Sequence, residues 1–298
     1  MKKINIKKWL LKNTHSLVGK TVVITGSTGG LGVCIAENLA KLGANLILVD
    51  RNFSKSQGLA NSLAKKYNGI NIVCITADFS DFVSVRNATE RLKEYSIDVF
   101  IHNAGAYSIP RYKTELGFDN VFQINFVSPY YIIRELFPLI KKQKGRVVTV
   151  GSIAHNYSKS DKNDIDFSTK KAASKVYGNA KRYLMFSLFE LFKCEEDVSL
   201  AVTHPGITFT NITAHYPKLI FAIIKNPMKI IFMKPEKAVL SIIKGVFCPT
   251  PYNTWFGPRI FGIWGKPKLS TLNTCKSEEI QNIGIAAENI YKKLKGKD

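Results

Sequence analysis

The chain has 298 residues, 45% of them hydrophobic, with 43 lysines and arginines against 22 aspartates and glutamates and a net charge of +21. That length and apolar content support one α/β domain with a full core and exclude a disordered chain. The basic excess admits three readings: lysine as a general surface residue, contact with an anionic membrane surface, or nucleic acid. Nucleic acid lacks a recognition motif or interleaved aromatic and basic residues, so no such partner is expected. Cys34, Cys74, Cys194, Cys248 and Cys275 are odd in number and contain no Cys-x-x-Cys pair. They read as reduced thiols of a cytoplasmic protein, with no metal site.

Residues 1–18 read as a basic, solvated extension. Their longest apolar run, Trp9-Leu10-Leu11, is too short for a secretion signal, and their apolar residues form no single helical face. Residues 19–298 read as one domain. A strand over 20–24 runs into Thr25-Gly26-Ser27-Thr28-Gly29-Gly30-Leu31-Gly32, and a helix follows over 33–42. Strands are predicted over 44–49, 70–76, 97–101, 145–150 and 198–203. Helices are predicted over 54–67, 82–95, 115–142 and 172–193, and residues 155–171 form a polar, lysine-rich loop. Alternation of this kind implies a doubly wound parallel sheet with right-handed crossovers, the Rossmann fold. Beyond 206 the alternation stops: 216–235 is apolar yet broken by prolines and lysines. A helix over 235–247, one last strand from 254–258 and 259–266, and a closing helix over 277–295 complete the chain.

The polar residues at the strand ends are the candidate site, because ligands of open parallel sheets bind there. A glycine turn between strand and helix leaves backbone N–H groups free to face a pyrophosphate, with no Cβ in the way. Asp50, about twenty residues past that turn, can accept from both ribose hydroxyls and favours NAD; Arg51 beside it can hold a 2′-phosphate and favours NADP. The balance leans slightly to NAD, and both stay open. Asp78 can accept from an adenine amine or serve as a helix N-cap. Tyr177 and Lys181 lie four apart on one helical face, where an ammonium would lower the phenol pKa toward neutrality and make Tyr177 a general acid/base. Tyr291 and Lys295 share that spacing but sit in a basic tail and read as coincidence.

Thr25-Gly26-x-x-x-Gly30-x-Gly32, Asp78, Asn103-Ala104-Gly105, Asn125, Ser152, Tyr177-x-x-x-Lys181 and Pro205-Gly206 occur in one order over about residues 20–210. Together they resemble the short-chain dehydrogenase/reductase family. Thr114-Glu-Leu-Gly-Phe-Asp-Asn, Val150-Gly-Ser-Ile-Ala-His155 and the long insert between Ser152 and Tyr177 look like its retinol dehydrogenase-like branch. The resemblance implies a catalytic set of Asn125, Ser152, Tyr177 and Lys181. Tyr177 would exchange a proton with the substrate oxygen and Ser152 would orient that oxygen. Lys181 would bind the nicotinamide ribose, and Asn125 would hold a water linking Lys181 to solvent. Cofactor contacts would come from Gly26, Ser27, Thr28, Gly30, Leu31, Gly32, Asp50, Arg51, Asp78, Phe79, Asn103, Ala104, Gly105, Tyr177, Lys181, Pro205 and Gly206, with Thr208 and Thr210 facing the carboxamide. His102 stands where the family has asparagine, with little effect expected, and Gly151 stands where serine is common.

The family builds a substrate lid where 210–250 falls here. The apolar residues of 216–235, set among lysines, would form a hydrophobic substrate mouth touching a membrane surface, or would cover the core or a second subunit. His155 is expected to be a structural loop residue. The function implied is NAD(P)-dependent hydride transfer between a hydrophobic alcohol and its carbonyl, in a homo-oligomer paired through long helices. The alternative is a dinucleotide-binding regulator that has lost turnover.

Overall fold

The computed structural model describes residues 4–208 and 233–296. Eight strands form one sheet in the order β3-β2-β1-β4-β5-β6-β7-β8. They are β1 (Thr21–Thr25), β2 (Asn45–Asp50), β3 (Ile72–Thr76), β4 (Val99–His102), β5 (Arg146–Val150), β6 (Ser199–Thr203), β7 (Thr254–Ile260) and β8 (Trp264–Thr271). The first seven pair in parallel and β8 returns antiparallel to β7. One last strand was expected from 254–266, but the chain makes a hairpin there. Phe261 and Gly262 both take positive φ (50° and 68°), which turns the chain back on itself.

Alternate strand residues feed two apolar layers, as the two-residue period requires. Val22 and Ile24 of β1 join one core; Val23 joins the other. The first layer holds α1 (Ile6–Asn13), α2 (Gly30–Lys41) and α3 (Phe53–Lys66). It also holds the turn α8 (Pro235–Ala238) and α9 (Leu240–Phe247). The second holds α4 (Phe82–Lys93), the long helix and α7 (Ala173–Leu191), covered by α10 (Ser277–Lys295). The long helix comprises α5 (Asn120–Phe122), a π-helical turn (Gln123–Val127) and α6 (Ser128–Lys142).

Two expectations are corrected here. Residues 4–18 are not a solvated extension: Asn5 caps α1, and Trp9 is buried in the first core with Leu17. Trp9 is the buried anchor, and Ile4, Ile6 and Leu10 pack half-buried on the same core. The long helix starts at Asn120, not near 115, because Asp119 accepts from the amides of Val121 (2.9 Å) and Phe122 (3.4 Å). Before it, Gly117 at φ +87° closes a turn in which Thr114 N donates to Phe118 O.

Burial also explains α10. Ile280, Ile283, Ala287, Tyr291 and Leu294 recur at helical spacing and are all buried. They lie on α6 and α7, the helices through which subunits were expected to pair. Arg134 forks onto Glu288 (3.1 Å for each bond) and Tyr291 Oη donates to Glu135 (2.6 Å). Tyr291 and Lys295 thus belong to this helix packing. Among the described residues no helix is long and apolar enough to cross a membrane, and all five cysteines are free.

Candidate active site

The sheet order reverses between β1 and β4, so their C-terminal ends diverge and leave a crevice. A cavity of about 410 Å³ opens there. Of the predicted cofactor residues, Gly26, Thr28, Gly30, Leu31, Asp50, Arg51, Asp78, Phe79, Asn103, Ala104 and Gly105 line it. Gly29 of the predicted turn lines it too, and Ala106, Tyr107, Ile109 and Ile124 line it without having been foreseen. Ser27 and Gly32 are buried behind it, and Pro205 and Gly206 pack under the β7–β8 hairpin, where Gly206 (φ +84°) leaves no room for a Cβ beside Ile263 O. Thr208 bridges to Met233. Thr210 and the apolar lid residues 216–232 lie outside the described residues.

Thr25 is the hub of the turn, a role the motif alone did not reveal. Its hydroxyl accepts from Asn103 N and Ala104 N (3.1 Å each) and donates to Nδ1 of His102 (3.1 Å). His102 is therefore more than a passive replacement, since it fixes the direction of the Thr25 hydroxyl. Burial holds its pKa well below the ordinary histidine value, so it is the neutral acceptor this geometry needs. Asn103 Nδ2 donates to Gly26 O (3.0 Å), tying β4 to the glycine turn. Gly26 sits at φ +68° with Ala104 Cα 2.9 Å from where a Cβ would project, so glycine is required for two independent reasons. No side chain caps α2 behind Gly29, so its first N–H groups face the cavity without a partner from the side chains. The uncapped helix end and the Cβ-free wall fit a dinucleotide pyrophosphate.

Asp50 is arranged differently from expectation. Oδ1 accepts from Thr28 N (3.0 Å) and Thr28 Oγ1 (2.9 Å). Oδ2 accepts from Ser27 Oγ (2.5 Å) and Ser56 Oγ (3.2 Å). These four bonds use the acceptor capacity of a carboxylate, and Asp50 is buried. It braces the glycine turn, while Arg51 projects into solvent with Nε 4.0 Å from Asp78 Oδ2. Asp78 is not a helix cap: Asp81 caps α4, and Asp78 Oδ1 accepts from Ser80 N (2.9 Å) and Ser80 Oγ (2.6 Å).

The four predicted catalytic residues converge at the ends of β4 and β5. Asn125 sits in the π-helical turn, where the extra residue per turn aims its amide inward. Its Nδ2 donates to Ala106 O and Val121 O (2.8 Å each). A Cβ at Gly105 would lie 2.7 Å from Asn125 Oδ1 and 3.4 Å from Lys181 Nζ, so these three meet at one point. Lys181 Nζ donates to Val150 O (3.1 Å) and lies 5.8 Å from the Tyr177 ring centroid. Burial lowers the Lys181 pKa to about 8. Tyr177 meets Tyr107 edge-on at 5.2 Å, and Ser152 is near enough to lower its phenol pKa. Its pKa is pushed up to about 12, not down toward neutrality: desolvation of the hydroxyl outweighs the help from Ser152, and Tyr107 adds to the rise. At neutral pH the phenol is protonated and can donate.

His155 is buried beneath Ser152, as a structural loop histidine would be, but its partners reach far along the chain. Thr274, Arg182 and Glu279 join it there; about 120 residues of sequence hide that meeting, and no local signal would have revealed it.

The model of the short chain dehydrogenase family matches residues 20–217. An uncharacterized oxidoreductase of Schizosaccharomyces pombe is 26% identical over 83% of this chain and 77% of its own length. Human retinol dehydrogenase 13 is 27% identical over 67% of this chain; the match spans 62% of that protein, less than two thirds of its length. A Sphingobium yanoikuyae short-chain dehydrogenase solved with NADPH superposes with a TM-score of 0.60 at 23% identity, covering 76% of this chain and 83% of that one.

Proposed function

The chain belongs to the short-chain dehydrogenase/reductase family, and from that membership we propose that it interconverts a hydrophobic alcohol and its carbonyl with NADP(H), Tyr177 serving as general acid/base. It is an NAD(P)-dependent oxidoreductase, and its relatives include members of the retinol dehydrogenase-like branch. The observation that carries the reading is the convergence of Tyr177, Ser152, Lys181 and Asn125 beside a cavity walled by the glycine turn.

The bound dinucleotide supplies the hydride. Tyr177 Oη gives its proton to the carbonyl oxygen, and Ser152 Oγ holds that oxygen in place. Lys181 Nζ, charged below about pH 8, stabilises the phenolate left behind. Tyr107, Ile109 and Ile124 give the cavity an apolar wall suited to a hydrophobic substrate. The retinol and polyprenol dehydrogenases among its relatives agree with that substrate class.

The shift from a slight NAD preference to NADP(H) rests on Asp50 and Arg51. A carboxylate already holding four donors has no site left for ribose hydroxyls, whereas the exposed guanidinium beside it can take a 2′-phosphate. The NADPH-bound neighbour of the same fold agrees. The test follows dinucleotide absorbance at 340 nm with nonanal as the probe. NADPH should be favoured over NADH by about tenfold or more in kcat/KM, and Arg51→Ala should remove most of that preference. A preference for NADH would overturn the cofactor assignment. Dinucleotide binding without turnover of any hydrophobic aldehyde or alcohol would favour the silent regulator instead.

A further inference from the structure

Arg182 follows Lys181 on α7 and is only 1% exposed. A buried guanidinium needs partners for its donors, and here they come from two segments, the turn at His155 and residues 274–279. Nε and an Nη bind the two oxygens of Glu279 (2.8 and 2.7 Å), and the same Nη donates to Thr274 O (2.6 Å). The other Nη donates to His155 O (3.0 Å). Glu279 also accepts from Ser160 N (2.9 Å) and Ser160 Oγ (2.8 Å), so the insert before α7 is tied to the same carboxylate. These bonds hold Glu279 at a pKa of about 2, against the cost of its burial.

His155 connects this pair to the site. Its Nδ1 lies 2.6 Å from Ser152 O and its Nε2 lies 3.0 Å from Thr274 Oγ1. A carbonyl only accepts, so Nδ1 carries the proton and Nε2 receives the Thr274 hydroxyl. The backbone N–H of His155 also reaches Ser152 O (3.1 Å), so that carbonyl holds two donors and its peptide plane has one orientation. Trp255 closes over the imidazole edge-on at 5.3 Å. Nothing in this chain of contacts lines the dinucleotide cavity.

We propose that His155, oriented by Thr274 and the Arg182–Glu279 pair, is a positioning residue that fixes Ser152 for the reaction. The segment from Thr274 to Glu279, beyond the residues that match the family model, is thus a working part of the active site. The inference rests on the proposed oxidoreductase chemistry at Ser152 and Tyr177. Its effect falls on kcat, because the network touches the serine turn and none of its residues lines the dinucleotide cavity.

The experiment compares the wild type with His155→Leu, His155→Asn and Thr274→Val, using NADPH with nonanal. His155→Leu loses the bond to Ser152 O and should lower kcat about tenfold or more, with KM for nonanal and Kd for NADPH within about twofold. The side-chain amide of His155→Asn can replace Nδ1–H, so this variant should recover most of the loss. Thr274→Val should lower kcat by about threefold, and it carries the test if His155→Leu fails to fold. Equal loss in the Leu and Asn variants, or wild-type kcat in His155→Leu or Thr274→Val, overturns the proposal. Wild-type turnover separately tests the functional reading. If the wild type turns over no carbonyl, amide exchange across Ile153–Asn156 decides. Exchange faster in His155→Leu and restored in His155→Asn supports the positioning role, and equal exchange overturns it.

Discussion

Gly105 shows how little freedom the site leaves at a single residue. A methyl group there would enter the contact between Asn125 Oδ1 and Lys181 Nζ, and neither partner can retreat from a buried position. Gly105→Ala should therefore fold, bind the dinucleotide weakly, and lose about tenfold or more in kcat, as steady-state kinetics will show. Tyr177→Phe removes the transferable proton alone. It should cost about a thousandfold in kcat and leave the dinucleotide Kd nearly unchanged by tryptophan-to-NADPH energy transfer. The pH dependence follows from the same two residues. A phenol titrating at about 12 stays protonated through neutrality, so reduction should hold steady and then decline above about pH 8 as Lys181 loses its charge. Alcohol oxidation needs the phenolate and should rise with pH instead. Tyr177 and Lys181 were legible in the sequence from their four-residue spacing on one helix face, and Ser152 and Asn125 through the family resemblance. The direction of the Tyr177 shift was not legible, since it depends on how deeply packing buries the hydroxyl and on the neighbouring Tyr107.

The terminal helices matter most among the elements. α10 lays five buried residues on α6 and α7, and Ile283 at its centre is fully enclosed. Ile283→Ala should cost about 2–4 kcal/mol, read by urea unfolding at constant m-value. Trp9→Ala should cost a comparable amount, since Trp9 is the buried side chain that anchors α1 to the core. A solvated extension would give almost no change in either midpoint or cooperativity. The closing helix was predictable over 277–295, where the apolar period is regular and charges follow the helix dipole. The docking of α1 was not, because Ile6, Trp9 and Leu10 meet a core built from distant strands, which the local sequence does not show.

At the scale of the whole molecule, three of the described histidines are kept neutral inside the fold. His155 and His204 titrate at about 4, and His102 lies well below its ordinary value, all chiefly through burial. The unfolded chain binds these protons near pH 6.5, so between 6.5 and 4 it holds more protons than the native state. Stability must then fall as pH drops through that window. Thermal unfolding followed from pH 7.5 to 4.5 should show a steadily falling Tm, with a shallower slope in His155→Asn. A flat profile would mean that these imidazoles already carry charge in the native protein.

The sequence by itself determined the alternation of strands and helices, the glycine turn at the first crossover and the Tyr177–Lys181 pair on one helix face. Each of these is a local pattern: a period of two or 3.6, a residue that tolerates positive φ, or a fixed spacing along one helix face. Only the tertiary structure decided what Asp50 holds, where α1 and α10 lie, and that Thr274 and Glu279 stand behind Ser152. These depend on which segments the sheet order brings together. Hydrogen-bond capacity and burial are properties of that assembled environment, and residues far apart in the chain create them jointly.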